Sequence, residues 1–195
     1  MFINWKLREI KLKIVYYGPP LSGKTTNLEY IHSKVKPELR GELISLKTKE
    51  DRTIFFDFLQ LEIGEIKNLK PKFNLYTVPG QAIYTASRRL VLQGVDGVVF
   101  VANSKWDQLQ ENVKCMQNMK ENLHQLGYDL AHIPLLIQYN KRDLPDRVPI
   151  NILADRLGCN GVAHIESVAV RGIGVFDTLK MIINTVVTRV QREVA

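Results

Sequence analysis

The residues whose types and spacing best fit known chemistry lie at positions 18–25, with the sequence GPPLSGKT. This segment fits the phosphate-binding pattern G-x-x-x-x-G-K-[ST] at each fixed position. Such a turn directs backbone N–H groups at phosphate oxygens, and the following helix N-terminus adds positive partial charge. We expect Lys24 to contact the terminal phosphates and the Thr25 hydroxyl to bind Mg²⁺. The predicted phosphate-binding residues are Gly18, Leu21, Ser22, Gly23, Lys24, Thr25 and Thr26.

The flanking segments match the strand–loop–helix context that this motif requires. Residues 10–17 alternate apolar and polar and then become wholly apolar, as in a strand entering a core. Leu28 and Ile31 follow at helical spacing. Pro19 and Pro20 lack an N–H, but the amides expected to bind phosphate begin at Leu21, so phosphate binding should survive.

Strand and helix patterns alternate along the rest of the chain. Helices are predicted at 106–126 and 175–190, and further strands at 53–59, 71–78, 97–102, 134–139 and 163–168. This alternation predicts an α/β fold, one domain over 1–195. We expect a mostly parallel six-stranded sheet with one antiparallel edge strand and helices on both faces. The ligand of such a sheet lies beyond the carboxyl ends of its strands.

Polar residues at those strand ends indicate which base is bound. The sequence Asn140-Lys141-Arg142-Asp143 follows a predicted strand directly. A carboxylate at Asp143 can accept hydrogen bonds from the N1–H and amine of guanine, a pair that adenine lacks. Asn140 would tie this loop to the phosphate loop, and the Lys141 stem would cover the base. In a charged loop alone this pattern arises by chance, but after a strand and a phosphate loop it favours guanine.

Two further strand ends complete the predicted site. In the segment 166–169 (ESVA), Val168 and the Ala169 amide would lie against the guanine carbonyl. In the segment 77–81 (TVPGQ), the Gly80 amide would sense the terminal phosphate and Gln81 would orient a water molecule.

The composition is that of a globular protein with a basic balance. Of 195 residues 45% are hydrophobic and 24% charged, and the formal net charge is +7. The sequence has no basic tract interleaved with aromatic residues, the pattern that would predict nucleic-acid binding. We interpret the basic residues as a solvated face near a polyanionic nucleotide; they include Lys6, Arg8, Lys11, Lys13, Arg88 and Arg89.

No targeting or anchoring signal is visible in the sequence. Cys115 and Cys159 have neither metal-ligand nor disulfide spacing. There is no membrane-length apolar run, signal peptide or lipidation motif. We expect a cytoplasmic protein without a membrane anchor, monomeric when alone.

Taken together, these motifs resemble the Ras-like small GTPases over nearly the whole chain. The segments 15–19 (VYYGP), 55–59 (FFDFL) and 77–81 (TVPGQ) are similar to the bacterial gliding-motility, or MglA-type, polarity GTPases. The resemblance implies a G domain that binds GTP and GDP and hydrolyses GTP with Mg²⁺ as cofactor. It also implies a Roadblock-domain (MglB-like) activating partner and a GTP form that marks a cell pole or drives motility. The effectors are not indicated.

Two residues depart from the wider Ras pattern. Thr77 replaces an aspartate that supports Mg²⁺ through its water shell, a departure that the MglA type shares, so this support is either depleted or supplied by Asp57. Pro20 stands where glycine is more usual, beside the hydrolytic centre. The main alternative to a GTPase is therefore a GTP-binding scaffold with negligible turnover. A P-loop kinase or ATPase is disfavoured by Asp143 and by the short chain.

The predicted switch lies around positions 49–59. Thr53 would close the metal site only with GTP, and Arg52 would reach the terminal phosphate as an arginine supplied in cis. The alternatives are an ordinary strand-start threonine and a surface arginine paired with Glu50 or Asp51. Because both faces of the 54–59 strand are largely apolar, we expect its register to be weakly fixed. We predict a register shift relative to 72–78 between the GDP and GTP forms; the alternative is a fixed edge strand.

Overall fold

The computed structural model describes residues 1–47, 53–80 and 85–193. Five α-helices of this part are α1 Lys24–Lys34, α2 Thr85–Leu92, α3 Leu109–Gln125, α4 Ile150–Leu157 and α5 Val175–Glu193. Its eight strands are β1 Phe2–Asn4, β2 Glu9–Tyr17, β3 Ile44–Lys47, β4 Thr53–Glu62, β5 Lys70–Thr77, β6 Gly97–Asn103, β7 Leu135–Asn140 and β8 His164–Glu166.

The strands form one sheet in the order β3-β4-β5-β2-β6-β7-β8, with β1 beside the start of β2. The strands β5, β2, β6, β7 and β8 run parallel, whereas β4 is antiparallel to β5 and β3 to β4. The predicted α/β class is confirmed. The sheet has eight strands in the described residues rather than six, because β1 and β3 are short segments that only pairing reveals. The edge strand beside β4 is β3, so the placing of β4 at the edge is wrong. The register of β4 in the two nucleotide forms stays a prediction.

Helices cover both faces of the sheet, as predicted. One core lies between the sheet and helices α1 and α5, and the other between the sheet and helices α2, α3 and α4. Strand β6 is buried at all seven positions, which explains its continuous apolar sequence. The predicted helix at 106–126 is present as α3, and its core face includes the buried Met116, Met119 and Leu123.

This topology brings the polar strand ends to one edge of the sheet. The phosphate loop follows β2, Pro79 and Gly80 follow β5, the Asn140 loop follows β7, and Ala169 lies shortly after β8. The basic residues at the start of the chain lie at the opposite edge, because β2 runs from them toward the phosphate loop. Our interpretation of Lys6, Arg8 and Lys11 as a face near the nucleotide is therefore wrong.

Among the described residues, no helix is both long and apolar enough to cross a membrane.

Candidate functional site

Backbone geometry shapes the phosphate loop between β2 and α1. Gly18 and Gly23 have φ angles of +150° and +103°, which L side chains rarely adopt. A Cβ at Gly18 would lie 2.3 Å from the Val101 carbonyl oxygen, and one at Gly23 would lie 2.2 Å from Asn140 Nδ2. Both glycines are thus required by space as well as by conformation. Leu21 also has a positive φ of 56°, and its side chain is exposed.

Helix α1 begins at Lys24, so the amides of its first turn have no acceptor within the helix. They include those of Lys24, Thr25 and Thr26, which we predicted to bind phosphate. This open helix N-terminus at the end of a glycine-bounded loop is suited to anionic oxygens.

The Lys24 ammonium lies inside the loop. Its Nζ donates hydrogen bonds to the carbonyl oxygens of Gly18 at 3.0 Å and Pro19 at 2.7 Å. Burial lowers the pKa of Lys24 to about 8, and the nearby Arg88 acts in the same direction, while Cys115 and Asp57 oppose it. The loop therefore holds a desolvated cation where negative charge would be favourable.

Asn140 joins three loops at the end of the sheet. Its Nδ2 donates to the Ser22 carbonyl oxygen at 2.7 Å, within the phosphate loop. Its Oδ1 accepts hydrogen bonds from Ser167 Oγ at 3.0 Å and from the Ala169 amide at 2.9 Å. The tie to the phosphate loop is confirmed. The Ala169 amide, which we predicted to contact guanine, is engaged here by Asn140, and Val168 beside it is buried.

The residues that follow Asn140 extend beyond the sheet edge. Lys141 has a positive φ of 66° and is half-buried, and burial lowers its pKa. Asp143 is exposed and accepts no hydrogen bond from the described residues. Arg142 lies between these two residues in the sequence. Its Nε donates a hydrogen bond to Glu166 Oε2 at 2.9 Å, and its Nη1 donates one to the Val148 carbonyl oxygen at 2.7 Å. This ion pair fixes the loop and leaves the Asp143 carboxylate open.

A buried carboxylate lies directly behind the phosphate loop. Asp57 of β4 is fully buried and accepts hydrogen bonds from Thr25 Oγ1 at 2.5 Å and from Thr77 Oγ1 at 2.7 Å. The Ser45 hydroxyl donates to its second oxygen. Sequence reasoning had named Asp57 only as a possible substitute for the missing aspartate at Thr77. The structure brings its carboxylate against the threonine predicted to bind Mg²⁺.

A buried amide network supports the start of α1, and sequence reasoning missed it. Asn27 Nδ2 donates to the Gly23 carbonyl oxygen at 2.8 Å and to Gln138 Oε1 at 2.9 Å. Gln138 Nε2 donates in return to Asn27 Oδ1 and to Thr178 Oγ1, at 2.9 and 2.8 Å. The only hint in the sequence was Gln138 inside an otherwise apolar strand.

A buried arginine holds the segment that follows β5. Arg88 of α2 donates from Nε to the Pro79 carbonyl oxygen at 2.9 Å, and from its Nη groups to the Gly80 carbonyl and to Asn118 Oδ1. It is only 2% exposed, so our placing it on a solvated basic face is wrong. Gly80 in turn packs on Pro20, since a Cβ there would lie 2.5 Å from Pro20 Cα.

Three predicted switch residues lie wholly or partly outside the described part of the chain. Arg52 and Gln81 lie outside the described residues. Strand β4 begins at Thr53, as predicted, but its side chain is also outside the described part. Their roles stay predictions.

The parallel sheet, the glycine-bounded phosphate loop and the Asn140 loop tied to it define a Ras-like small GTPase. The model of the ADP-ribosylation factor (Arf) family matches residues 1–186. The chain belongs to this family of Ras-like small GTPases and is a GTP hydrolase, so the resemblance is confirmed. It is similar to the Mutual gliding-motility protein MglA of Myxococcus xanthus (strain DK1622), with 52% identity over 191 residues that cover 98% of each chain.

Proposed function

We propose that this GTPase is a Mg²⁺-dependent molecular switch that regulates cell polarity or motility through a Roadblock-type activating partner. The observation that carries the switch is the Asn140 tie, which links the phosphate loop to the loop that would read the base. With the two loops joined, base recognition and phosphate binding act as one unit. A bound nucleotide is then able to bias the segments around its terminal phosphate.

Phosphate binding is proposed to rest on Lys24 and on the amides of the loop. Lys24 would exchange its two carbonyl acceptors for the terminal phosphates, which compensate a buried charge far better than neutral oxygens do. Gly18, Leu21, Ser22 and Gly23 form the turn, and Gly80 would report the terminal phosphate from the other side. Asp143 would select guanine, with Lys141, Val168 and Ala169 framing the base.

For Mg²⁺, the residues present fit the ion. The Thr25 hydroxyl and the Asp57 carboxylate are hard oxygen donors that lie together, as this cation requires. We propose that Thr25 binds the ion directly. Asp57 would accept hydrogen bonds from the water molecules around the ion, in place of the aspartate that is missing at Thr77. Thr53 would complete the site when GTP is bound.

This metal assignment is tested by moving the carboxylate. Thr77→Asp alone would bury a second carboxylate against Asp57, so we expect a lower melting temperature and no tighter Mg²⁺ binding. The double variant Asp57→Thr/Thr77→Asp keeps one carboxylate. We expect it to regain part of the lost melting temperature and to bind Mg²⁺ through the carboxylate introduced at position 77, in place of that of Asp57. Tighter Mg²⁺ binding by Thr77→Asp would contradict the role of Asp57.

For hydrolysis, we propose that Gln81 orients the attacking water and that Arg52 supplies positive charge in cis. Arg88 supports this proposal because it holds the two residues that directly precede Gln81. The partner would then act by positioning groups that the chain already carries, and an arginine so placed is worth about 10³–10⁵ in rate.

The polarity and motility role rests on the relative, whose name states gliding motility. The proposal includes a cytoplasmic protein recruited to a cell pole and an activating Roadblock protein similar to MglB. The contact of Pro20 with Gly80 lies beside the expected path of the attacking water.

The deciding experiment measures GTP and ATP turnover with and without a co-encoded Roadblock protein. We expect hydrolysis of GTP alone, slow without the partner and strongly stimulated by it. Gln81→Ala and Arg52→Ala are expected to lose that stimulation while binding GTP normally. If the partner binds but turnover does not rise above the intrinsic rate, the partner is not an activator. If Arg52→Ala is stimulated as fully as the parent protein, the arginine in cis is excluded.

A further inference from the structure

Three large apolar side chains are exposed on the hairpin formed by β1 and β2. Phe2 is 60% exposed, Trp5 69% and Leu7 58%. Single exposed apolar residues are normal, but a cluster within six positions of one hairpin marks an interaction site. We call this surface the hairpin face; its residues are Phe2, Trp5, Lys6, Leu7, Arg8 and Lys11.

The exposure follows from the strand pairing. Opposite residues are Phe2 with Lys11 and Ile3 with Ile10. Ile3 and Ile10 pack in the core, and because side chains alternate along a strand, Phe2 and Lys11 point to the other side.

The tip of the hairpin is ordered by its own hydrogen bonds. The Leu7 amide donates to Asn4 Oδ1 at 3.1 Å, and the Arg8 amide donates to the Trp5 carbonyl oxygen at 3.4 Å. The Arg8 carbonyl oxygen accepts from the Lys70 amide at 2.7 Å, which fixes the turn to the start of β5. These contacts order the turn that carries the exposed side chains of Trp5 and Leu7.

The apolar tip is surrounded by uncompensated positive charge. Lys6, Arg8 and Lys11 are exposed and make no ion pair with the described residues. The nearby carboxylates are engaged elsewhere. Glu9 and Glu62 bind Lys72 at 2.9 and 3.4 Å, and Asp96 Oδ2 accepts from the Lys13 amide at 2.7 Å.

The nucleotide does not account for this charge. Six residues of strand β2 lie between Lys11 and Gly18, a distance of roughly 23 Å for extended chain. The hairpin face thus lies at the edge of the sheet opposite the candidate nucleotide site.

We propose that the hairpin face docks the protein peripherally on an anionic lipid bilayer. Trp5 and Leu7 enter the boundary between headgroups and acyl chains, where tryptophan is favoured because one end is apolar and the other is wet. Lys6, Arg8 and Lys11 contact the anionic headgroups. Exposed apolar side chains beside three exposed cations without ion pairs to the described residues match a negative, deformable surface. The loops of the nucleotide site then face away from the membrane.

Flotation with lipid vesicles tests the docking. The full chain loaded with GDP is mixed with phosphatidylcholine vesicles, with and without phosphatidylglycerol. We expect it to float only with the anionic vesicles. Trp5→Ala/Leu7→Ser should abolish flotation while leaving GTP turnover unchanged. Lys6→Ala and Lys11→Ala should each weaken binding about fivefold. Matched controls are Trp106→Ala, at an exposed tryptophan elsewhere, and Lys180→Ala on α5; both should bind as the parent does.

A fluorescence experiment separates insertion from simple charge attraction. The chain has two tryptophans, so Trp106→Phe leaves Trp5 as the single probe. We expect its emission to shift to the blue with anionic vesicles and to be quenched by brominated acyl chains. Absence of flotation overturns the proposal. So does flotation that Trp5→Ala/Leu7→Ser leaves intact with no shift in emission, because the lipid would then be held by charge alone, without insertion of the hairpin face.

Discussion

The burial of Lys24 predicts a pH dependence of nucleotide binding. Burial lowers its pKa to about 8 in the protein without nucleotide, and phosphates beside it would raise that pKa. Above pH 8, binding must therefore take up a proton, and affinity should fall as pH rises toward the pKa of the bound form. Below that range the ammonium is charged in both states and the effect vanishes.

Calorimetry of GTP binding in buffers of different ionisation enthalpy measures this proton directly. The Lys24→Arg variant keeps its charge throughout the range and is expected to show no uptake, although it should bind more weakly. A proton stoichiometry that stays at zero above pH 8 in the parent protein would contradict the linkage.

Asp143 carries the choice of base in our proposal. Its carboxylate is exposed in the structure and accepts no hydrogen bond from the described residues, which leaves it available to two donors of guanine. Asp143→Asn should weaken GTP by about 2–5 kcal/mol, because it replaces one acceptor of a charged pair with a donor. The same change should admit xanthine nucleotides, whose carbonyl suits a donor. Nucleotide titrations measure both effects, and unchanged GTP affinity would exclude the role.

At the residue scale, local spacing decides what a sequence can predict. Lys24 and the Asn140 loop follow from short motifs in a strand–loop–helix context. The partners of Asp57 come from α1, β3 and β5, and Asn27 meets Gln138 across 111 positions. No local pattern encodes such contacts; they arise when the sheet assembles.

At the scale of elements, we did not predict the helices α2 and α4, and in each case there is a physical reason. Helix α4 has eight residues with two buried leucines, which is too short a run to establish a period. Helix α2 buries an arginine, so Arg88 breaks the apolar stripe that a pattern search requires. The long helix α3, the first helix α1 and the buried strand β6 had strong periods or apolar runs and were predicted correctly.

Arg88 is expected to stabilise the junction between β5 and α2. Arg88→Met leaves the carbonyl oxygens of Pro79 and Gly80 without their donor in a buried site, and should cost about 2–4 kcal/mol of unfolding free energy. It should also slow GTP hydrolysis, because these residues precede Gln81. Urea denaturation and turnover measure the two effects.

Arg89 offers a matched control for this change. It is exposed and donates one hydrogen bond to Gln125 Oε1 at 3.0 Å. Arg89→Met should alter stability by less than about 0.5 kcal/mol. Equal losses of unfolding free energy in Arg88→Met and Arg89→Met would mean that any substitution in helix α2 destabilises the protein, and that the buried contacts of Arg88 are not the cause.

At the scale of the whole molecule, switching requires the sheet to hold two arrangements. Leu59 and Leu61 of β4 are fully buried on one side, and a slip of one residue would turn both outward. A slip of two residues, about 7 Å, keeps the sides and carries the start of β4 toward the phosphate loop. Asp57 would then leave Thr25 and Thr77. A nucleotide can drive the change only through its differential affinity for the two registers.

Cysteine pairs can test this register shift between the GDP and GTP forms. In the structure Gln60 lies opposite Asn74, at a spacing that a disulfide can bridge. After a slip of two residues toward the phosphate loop, Glu62 would lie opposite Asn74 instead. Gln60→Cys/Asn74→Cys and Glu62→Cys/Asn74→Cys should therefore oxidise in opposite nucleotide states, and each cross-link should lock the state that forms it. If both pairs close at the same rates with GDP and with a GTP analogue, β4 keeps one register and the switch lies in the loops alone.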